Sequence, residues 1–244
     1  MNDYNELDKE FEDDDLPPPA RPKKPKPQKL KPTQLRIVAG DLRSRRIVYN
    51  GDPATRPMKE KTREAVFSVL GGYLDDSYAL DLFGGTGILA FESISRGSDG
   101  ATVLELSRQT VNAILDNMRT LGLSDLVDVQ NVDTLRWLKT SDHQTSRFPP
   151  YRWIIFCCPP YAMWEQHGDK LVEGLKLLMQ VAPAGSRLVC ETEESYDIAS
   201  QMPEYDWDVR RYKPAIVAFA TKHGAGEEEV ETSEDDEDAE NETI

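Results

Sequence analysis

The most chemically suggestive stretch of the chain is Ile154-Ile155-Phe156-Cys157-Cys158-Pro159-Pro160-Tyr161, an apolar run that ends in two prolines and an aromatic. Each proline locks its own φ and restricts the residue before it, so the backbone is fixed and its carbonyls are not drawn into a helix. Such carbonyls are free to face a substrate, and the Tyr161 ring can stack on a flat base. A second stretch, Leu80-Asp81-Leu82-Phe83-Gly84-Gly85-Thr86-Gly87, reads as a strand running into a glycine turn that opens a helix. Glycines there permit tight geometry and close approach of a ligand to the helix N-terminus. Gly85-Thr86-Gly87-Ile88-Leu89-Ala90 fits G-x-G-x-x-A, which by itself does not separate nicotinamide from other adenosine cofactors.

Three acids at successive strand ends narrow the choice. Asp81 lies inside the end of the first strand, where a carboxylate can meet the cationic part of S-adenosylmethionine (SAM). Glu105 ends the second, where an acid meets ribose hydroxyls in either cofactor, and Asp133 follows the third, where it can accept from an adenine amino group. Taken singly, Asp133 also reads as a helix cap and Glu105 as a solvated strand end.

The elements that must position these residues alternate regularly. Strands are expected at 35–39 and 46–49 around Gly40-Asp41, then a helix at 59–70 with Ala65, Val66, Val69 and Leu70 on one face, stopped by Gly71-Gly72. Strand–helix pairs follow: 79–83 with 87–96, 101–105 with 108–121, 127–131 with a short helix near 133–139. Residues 153–157 precede a helix within 168–181, and 187–191 precede one near 196–202. Strands at 207–212 and 215–221 flank Lys213-Pro214 too closely for a crossover helix and read as an antiparallel pair. The alternation predicts an α/β protein, a mostly parallel sheet with helices on both faces.

Composition excludes several classes. The 244 residues carry 44 acids and 29 bases, a net charge of −15. Residues 1–34 hold eight acids and seven bases, and 224–244 hold eleven acids and no base. The region 35–223 is therefore only −3, and within it residues 35–67 are +4, with eight bases and four acids. No apolar run approaches the ~18 residues of a membrane span, and the first residues lack the basic start and apolar core of a signal peptide. Cys157, Cys158 and Cys190 form neither a disulfide framework nor a CxxC pair, and His143, His167 and His223 are far apart, so no metal is expected. A reduced, soluble, cytoplasmic monomer without membrane contact is the expectation. The ends, an acidic run followed by the Lys/Pro-rich 17–32 and an acidic tail from 224, should be solvated coil that keeps the protein soluble or masks a basic surface.

The chain resembles the SAM-dependent amino-methyltransferases, whose fourth motif reads Asp/Asn-Pro-Pro-Tyr/Phe. Within them it resembles the RsmD-type family of bacterial 16S rRNA guanine-N2 methyltransferases. The likeness runs from about residue 35 to about 221. It rests on Leu35-Arg36-Ile37-Val38-Ala39-Gly40 with Arg45, on Arg56-Pro57 with Thr62-Arg63-Glu64-Ala65-Val66-Phe67, on Asp81 to Gly87, on Glu92-Ser93-Ile94-Ser95-Arg96-Gly97, and on Pro159-Pro160-Tyr161.

The resemblance implies a Rossmann-like class I methyltransferase domain at 73–223. It has a seven-stranded sheet with an antiparallel C-terminal pair, and a hairpin and helix extension precedes it at 35–72. Asp81, Phe83, Gly85 and Gly87 would line the methionine end of SAM, Glu105 its ribose and Asp133 its adenine. Cys158, Pro159, Pro160 and Tyr161 would hold the target guanine, and Arg36, Arg43, Arg45, Arg46, Arg56 and Arg63 would grip 16S rRNA, free or in a small-subunit particle.

This chain departs from that pattern at Cys158, where the family has Asp or Asn. A thiol is a weak acceptor, and loss of one such contact can cost on the order of 10²–10³ in rate. Two small apolar cysteines ending a buried strand fit the sequence equally well. Alternatives are therefore a SAM- and RNA-binding assembly factor with little turnover, and an NAD-linked oxidoreductase, in which Pro-Pro-Tyr and the basic block would have no purpose. A cysteine-nucleophile cytosine-C5 methyltransferase is excluded by order, since both cysteines precede the prolines.

Overall fold

The computed structural model describes residues 32–49 and 55–224. The expected coil segments at the two ends lie almost wholly outside the described residues. The N-terminal hairpin pairs β1 (Thr33–Arg36) with β2 (Arg46–Tyr49), antiparallel, with Leu35 opposite Ile47. β1 starts and stops earlier than the expected 35–39, because residues 37–45 turn over the end of α2 (Ile88–Ser95). There Asp41 N donates to the Ser95 carbonyl at 2.7 Å and Ser95 Oγ to the Ala39 carbonyl at 2.6 Å. Gly40 lies in the left-handed region with φ +79°, and a Cβ on it would sit 1.6 Å from the Ser95 carbonyl oxygen. Only glycine lets this turn seat so closely.

α1 (Glu60–Val69) ends where Gly71 and Gly72 take positive φ. Its buried face is Thr62, Arg63, Val66 and Phe67, rotated from the expected stripe so that Ala65 and Val69 sit at the margin. A charged residue leads that face inward, which apolar periodicity does not register.

The central sheet comprises β3 (Tyr78–Asp81), β4 (Gly100–Glu105), β5 (Val127–Asn131), β6 (Trp153–Cys157), β7 (Arg187–Glu193), β8 (Trp207–Tyr212) and β9 (Ala215–Thr221). Their order is β5-β4-β3-β6-β7-β9-β8, the first five parallel and β9 antiparallel to both its neighbours. The inner strands β3, β4 and β6 are buried along nearly their whole length, as parallel strands covered on both faces must be, whereas the edge strands β5 and β8 are largely open to solvent. Side chains along β6 alternate between two cores: Ile154 and Phe156 pack with Phe67, Phe91 and Ile114, whereas Ile155 and Cys157 pack with Trp164, Leu171 and Leu175. The hairpin and α1 contribute Ile37, Ile47, Val66 and Phe67 to the first core, so the extension is part of the domain's packing.

α3 (Arg108–Leu121) is capped by Ser107, whose Oγ accepts from Thr110 N at 3.3 Å, and ends at Gly122 in the left-handed region. α4 (Thr134–Leu138) is followed by α5 (Ser141–Thr145), which the sequence pattern does not announce because SDHQT has no apolar period. α6 (Tyr161–Val181) begins directly after Pro160, seven residues before the expected helix, with a break in helical geometry at His167. α7 (Ile198–Gln201) is a single turn. No helix among the described residues is long and apolar enough to cross a membrane. Strand order reverses between β3 and β6, and such a switch point opens a crevice at the strands' carboxyl ends.

Candidate active site

β3 and β6 are hydrogen-bonded neighbours, Asp81 opposite Phe156, so the glycine turn after one and Pro159-Pro160 after the other face a common cleft. The cleft encloses about 580 Å³. Asp81, Phe83, Gly85, Glu105 and Asp133 line it, together with Cys158, Pro159, Pro160 and Tyr161. Gly87 is not in the lining. It holds the left-handed N-terminal position of α2 (φ +76°), where a Cβ would come 3.0 Å from Ile114 and Phe91, so it shapes the turn from behind.

Asp81 is 1% exposed, and its Oδ2 has no hydrogen-bond partner among the described residues. Burial pushes its carboxyl up to about 7, against the pull of the Phe83 N–H at 3.4 Å and with help from the Glu105 charge. A buried carboxylate oxygen without a partner is costly, and it fits a cationic ligand. Glu105 is already engaged: Oε2 accepts from Gly85 N at 2.9 Å and Oε1 from Ser107 N at 2.7 Å, tying the glycine turn to the end of β4. Asp133 caps α4, accepting from Arg136 N at 3.1 Å through Oδ1. These acids, the φ +51° turn at Gly85 and apolar walls such as Leu106 and Leu135 fit an adenosine-bearing ligand with a cationic end.

On the opposite wall, the Pro160 carbonyl accepts from Met163 N at 2.8 Å, while the Pro159 carbonyl accepts from none of the described residues. The Tyr161 hydroxyl donates to Glu191 Oε1 at 3.2 Å. Burial, then the Glu191 charge, moves this phenol up to about 12. Burial, followed by the charges of Glu191 and Asp81, raises the Cys158 pKa well above the usual thiol range, so Cys158 is a neutral thiol.

Glu191 itself lines the cleft from β7 and is absent from the sequence expectations. The rule that picks out Asp81, Glu105 and Asp133, an acid at a strand's carboxyl end, also applies to it. Arg56, Pro57, Met58 and Thr62 close the cleft from the extension.

The six arginines of the basic block separate into groups. Arg43, Arg45 and Arg46 are exposed on the hairpin, Arg45 Nη2 donating to the Thr120 carbonyl at 3.0 Å and Arg46 Nη1 to Gln34 Oε1 at 3.0 Å. Arg36 is exposed and pairs with Glu60, and Arg56 stands at the cleft. Arg63 corrects the expectation of an RNA contact. It is buried, donating through Nε to Glu92 Oε1 at 3.0 Å, through Nη2 to the Arg36 carbonyl at 2.6 Å and through Nη1 to the Met58 carbonyl at 3.1 Å. Its guanidinium offers no open face to a phosphate.

Ribosomal RNA small subunit methyltransferase D of Buchnera aphidicola subsp. Acyrthosiphon pisum is 35% identical over 131 residues, 54% of this chain and 65% of that protein. The alignment thus covers slightly less than two thirds of the relative's own length. The solved structure of yhhF from Escherichia coli superposes with a TM-score of 0.62 at 23% identity, over 79% of this chain and 100% of that one. SMU.776, complexed with SAH, gives a TM-score of 0.54 at 13% identity over 72% of this chain and 54% of its own. These likenesses show the class I methyltransferase fold. The family model described as conserved hypothetical protein 95 matches residues 35–218, hairpin and cleft together, and the chain belongs to that family, the RsmD type.

Proposed function

We propose that this protein is a SAM-dependent methyltransferase acting on the exocyclic N2 of a guanine in small-subunit (16S) ribosomal RNA. The observation that carries the reading is the Asp81 carboxylate, shut from solvent with one oxygen unpartnered among the described residues, in a cleft also lined by Pro159-Pro160-Tyr161. The name of the Buchnera relative and the SAH held by SMU.776 support the same reading.

In this reading Asp81 holds the cationic end of SAM, Glu105 its ribose and Asp133 its adenine, with Phe83, Gly85 and Gly87 shaping the cradle. SAM supplies an electrophilic methyl group. The protein's task is to present an amine whose lone pair is delocalised into the base ring and which is therefore a poor nucleophile. The free Pro159 carbonyl accepts from one N2 hydrogen and Tyr161 covers the base, which orients the nitrogen. The exposed Arg36, Arg43, Arg45, Arg46 and Arg56 meet rRNA phosphates. Residues 35–72 would then be the docking extension of a transferase domain at 73–223, acting in the cytoplasm on RNA or a small-subunit particle.

A second reading, a SAM- and RNA-binding assembly factor with little turnover, is favoured by one observation: Cys158 is held as a thiol where an oxygen acceptor is expected. Labelled SAM incubated with under-methylated small-subunit particles, followed by digestion, separates the two. N2-methylguanosine supports the transferase; SAM binding by calorimetry with no label transferred supports the assembly factor.

A further inference from the structure

Glu191 is a carboxylate with no structural task equal to its cost. Val189, Cys190 and Thr192 around it on β7 are buried, and no Lys or Arg among the described residues forms an ion pair with it. An acid placed in a buried strand for structure alone is expected to be paired. Glu191 is instead held in position. Trp164 Nε1 donates to its backbone carbonyl at 2.8 Å, and the Tyr161 hydroxyl donates to Oε1, leaving Oε2 without a hydrogen bond among the described residues.

Its location follows from register. Cys157, the last residue of β6, pairs with Cys190 of β7, so Cys158, just past β6, and Glu191, within β7, come side by side at the sheet's carboxyl edge. Glu191 and Cys158 both line the cleft. The carboxylate therefore enters the cleft beside the position where an Asp or Asn side chain is missing.

We infer that Glu191 is a further catalytic residue, whose carboxylate accepts from the N2 amino group and the adjacent N1–H of the target guanine in place of the acceptor absent at Cys158. The inference rests on the guanine-N2 reading above. Guanine presents two adjacent donors on that edge, and a carboxylate with four lone-pair sites can accept both while keeping the Tyr161 bond. Adenine presents an acceptor at N1 and is repelled, so Glu191 also selects the base. In the transfer, the N2 lone pair forms the new C–N bond and the methyl–sulfur bond breaks with its pair left on sulfur. One N2 proton then passes to Glu191 and on to water. Burial raises the Glu191 pKa, against the Tyr161 hydroxyl and the Arg56 charge, which makes it a better proton acceptor.

Glu191→Gln keeps the Tyr161 contact and tests the role in the full-length protein. Thermal stability and SAM affinity should stay within about twofold, while kcat on small-subunit particles falls about 100-fold, the scale of losing one transition-state contact. Adding Cys158→Asp to Glu191→Gln should recover at least about tenfold, because it restores an acceptor from the adjacent strand. A kcat within about threefold of wild type, or no recovery, overturns the inference. A second arm needs no turnover: GMP and AMP are titrated by NMR into SAH-saturated protein. GMP should bind in preference to AMP, and Glu191→Gln should abolish the preference; equal binding by wild type overturns the inference. Wild type that prefers GMP yet methylates no RNA defeats the proposed activity and leaves the base reading standing.

Discussion

Arg63 and Glu92 meet across the seam between the N-terminal extension and α2, Nε to Oε1 at 3.0 Å, with side chains 1% and 0% exposed. The same Glu92 oxygen accepts from Val38 N at 2.7 Å, and Arg96, whose guanidinium lies 4.6 Å from the Phe67 ring centroid, stands 3.4 Å from the other oxygen. The network joins the hairpin, α1 and α2, and so fixes the segment that roofs the cleft.

Removing Arg63 takes a cation from the buried Glu92, which then keeps only Arg96 at 3.4 Å, and leaves the Arg36 and Met58 carbonyls without their donor. Arg63→Ala should therefore cost about 3–5 kcal/mol, measured by denaturant unfolding. Arg63→Lys should lose less, since it keeps the charge but not the two carbonyl contacts. An Arg63→Ala variant as stable as wild type would show that the pair is idle.

The hairpin arginines predict a different phenotype. Charge reversal at Arg43, Arg45 and Arg46 leaves the core untouched, so the melting curve should hold. RNA affinity should fall, and the slope of log K against log salt should flatten by about two to three if all three meet phosphate. Unchanged affinity over a salt series would remove these residues from the RNA surface.

Asp81 links protonation to both stability and binding. Its carboxyl, raised to about 7 by burial, keeps its proton in the folded protein over the range where the unfolded chain has lost it. Stability therefore falls as pH rises from ~4 to about 7 and is level above that, a span worth up to about 4 kcal/mol. A cationic ligand reverses the penalty, so SAM affinity should rise with pH up to about 7. Asp81→Asn should flatten the stability profile and weaken SAM binding by a factor on the order of 30–1000. Calorimetry across pH 5–9 reads both; SAM binding to Asp81→Asn at wild-type strength would exclude the contact.

Cys158→Asp restores the oxygen acceptor in a site that already holds Asp81 and Glu191. In the wild-type background it should raise kcat by no more than about tenfold, well below the 10²–10³ of a site lacking any acceptor. A gain of 10² or more would mean that the thiol, and not base delivery, limits the rate.

Much of the architecture was legible from residue order. α3 and strands β5, β6, β8 and β9 fall on the expected residues, because each is a run with a clear period between turn signals: Ser107 and Gly122 around α3, Pro149-Pro150 and Pro159-Pro160 around β6, Lys213-Pro214 between β8 and β9. The cleft's acidic side was legible for the same reason. Strand ends are visible in sequence, and the ends of parallel strands share one edge of the sheet, so Asp81, Glu105 and Asp133 had to converge there.

What residue order alone left open is the part that depends on partners distant along the chain. Arg63 reads as one more base in a basic block until Glu92, 29 positions away, neutralises it inside the core. Glu191 reads as the polar end of a strand until β7 pairs with β6 and Tyr161, 30 positions earlier in the chain, binds it. Local patterns decide which segments form helices and strands, because capping, turns and periodicity act within a few residues. Tertiary packing decides which charges are desolvated and against what, and that difference separates the arginine that staples the fold from those left open to solvent, and Glu191 from an ordinary solvated acid.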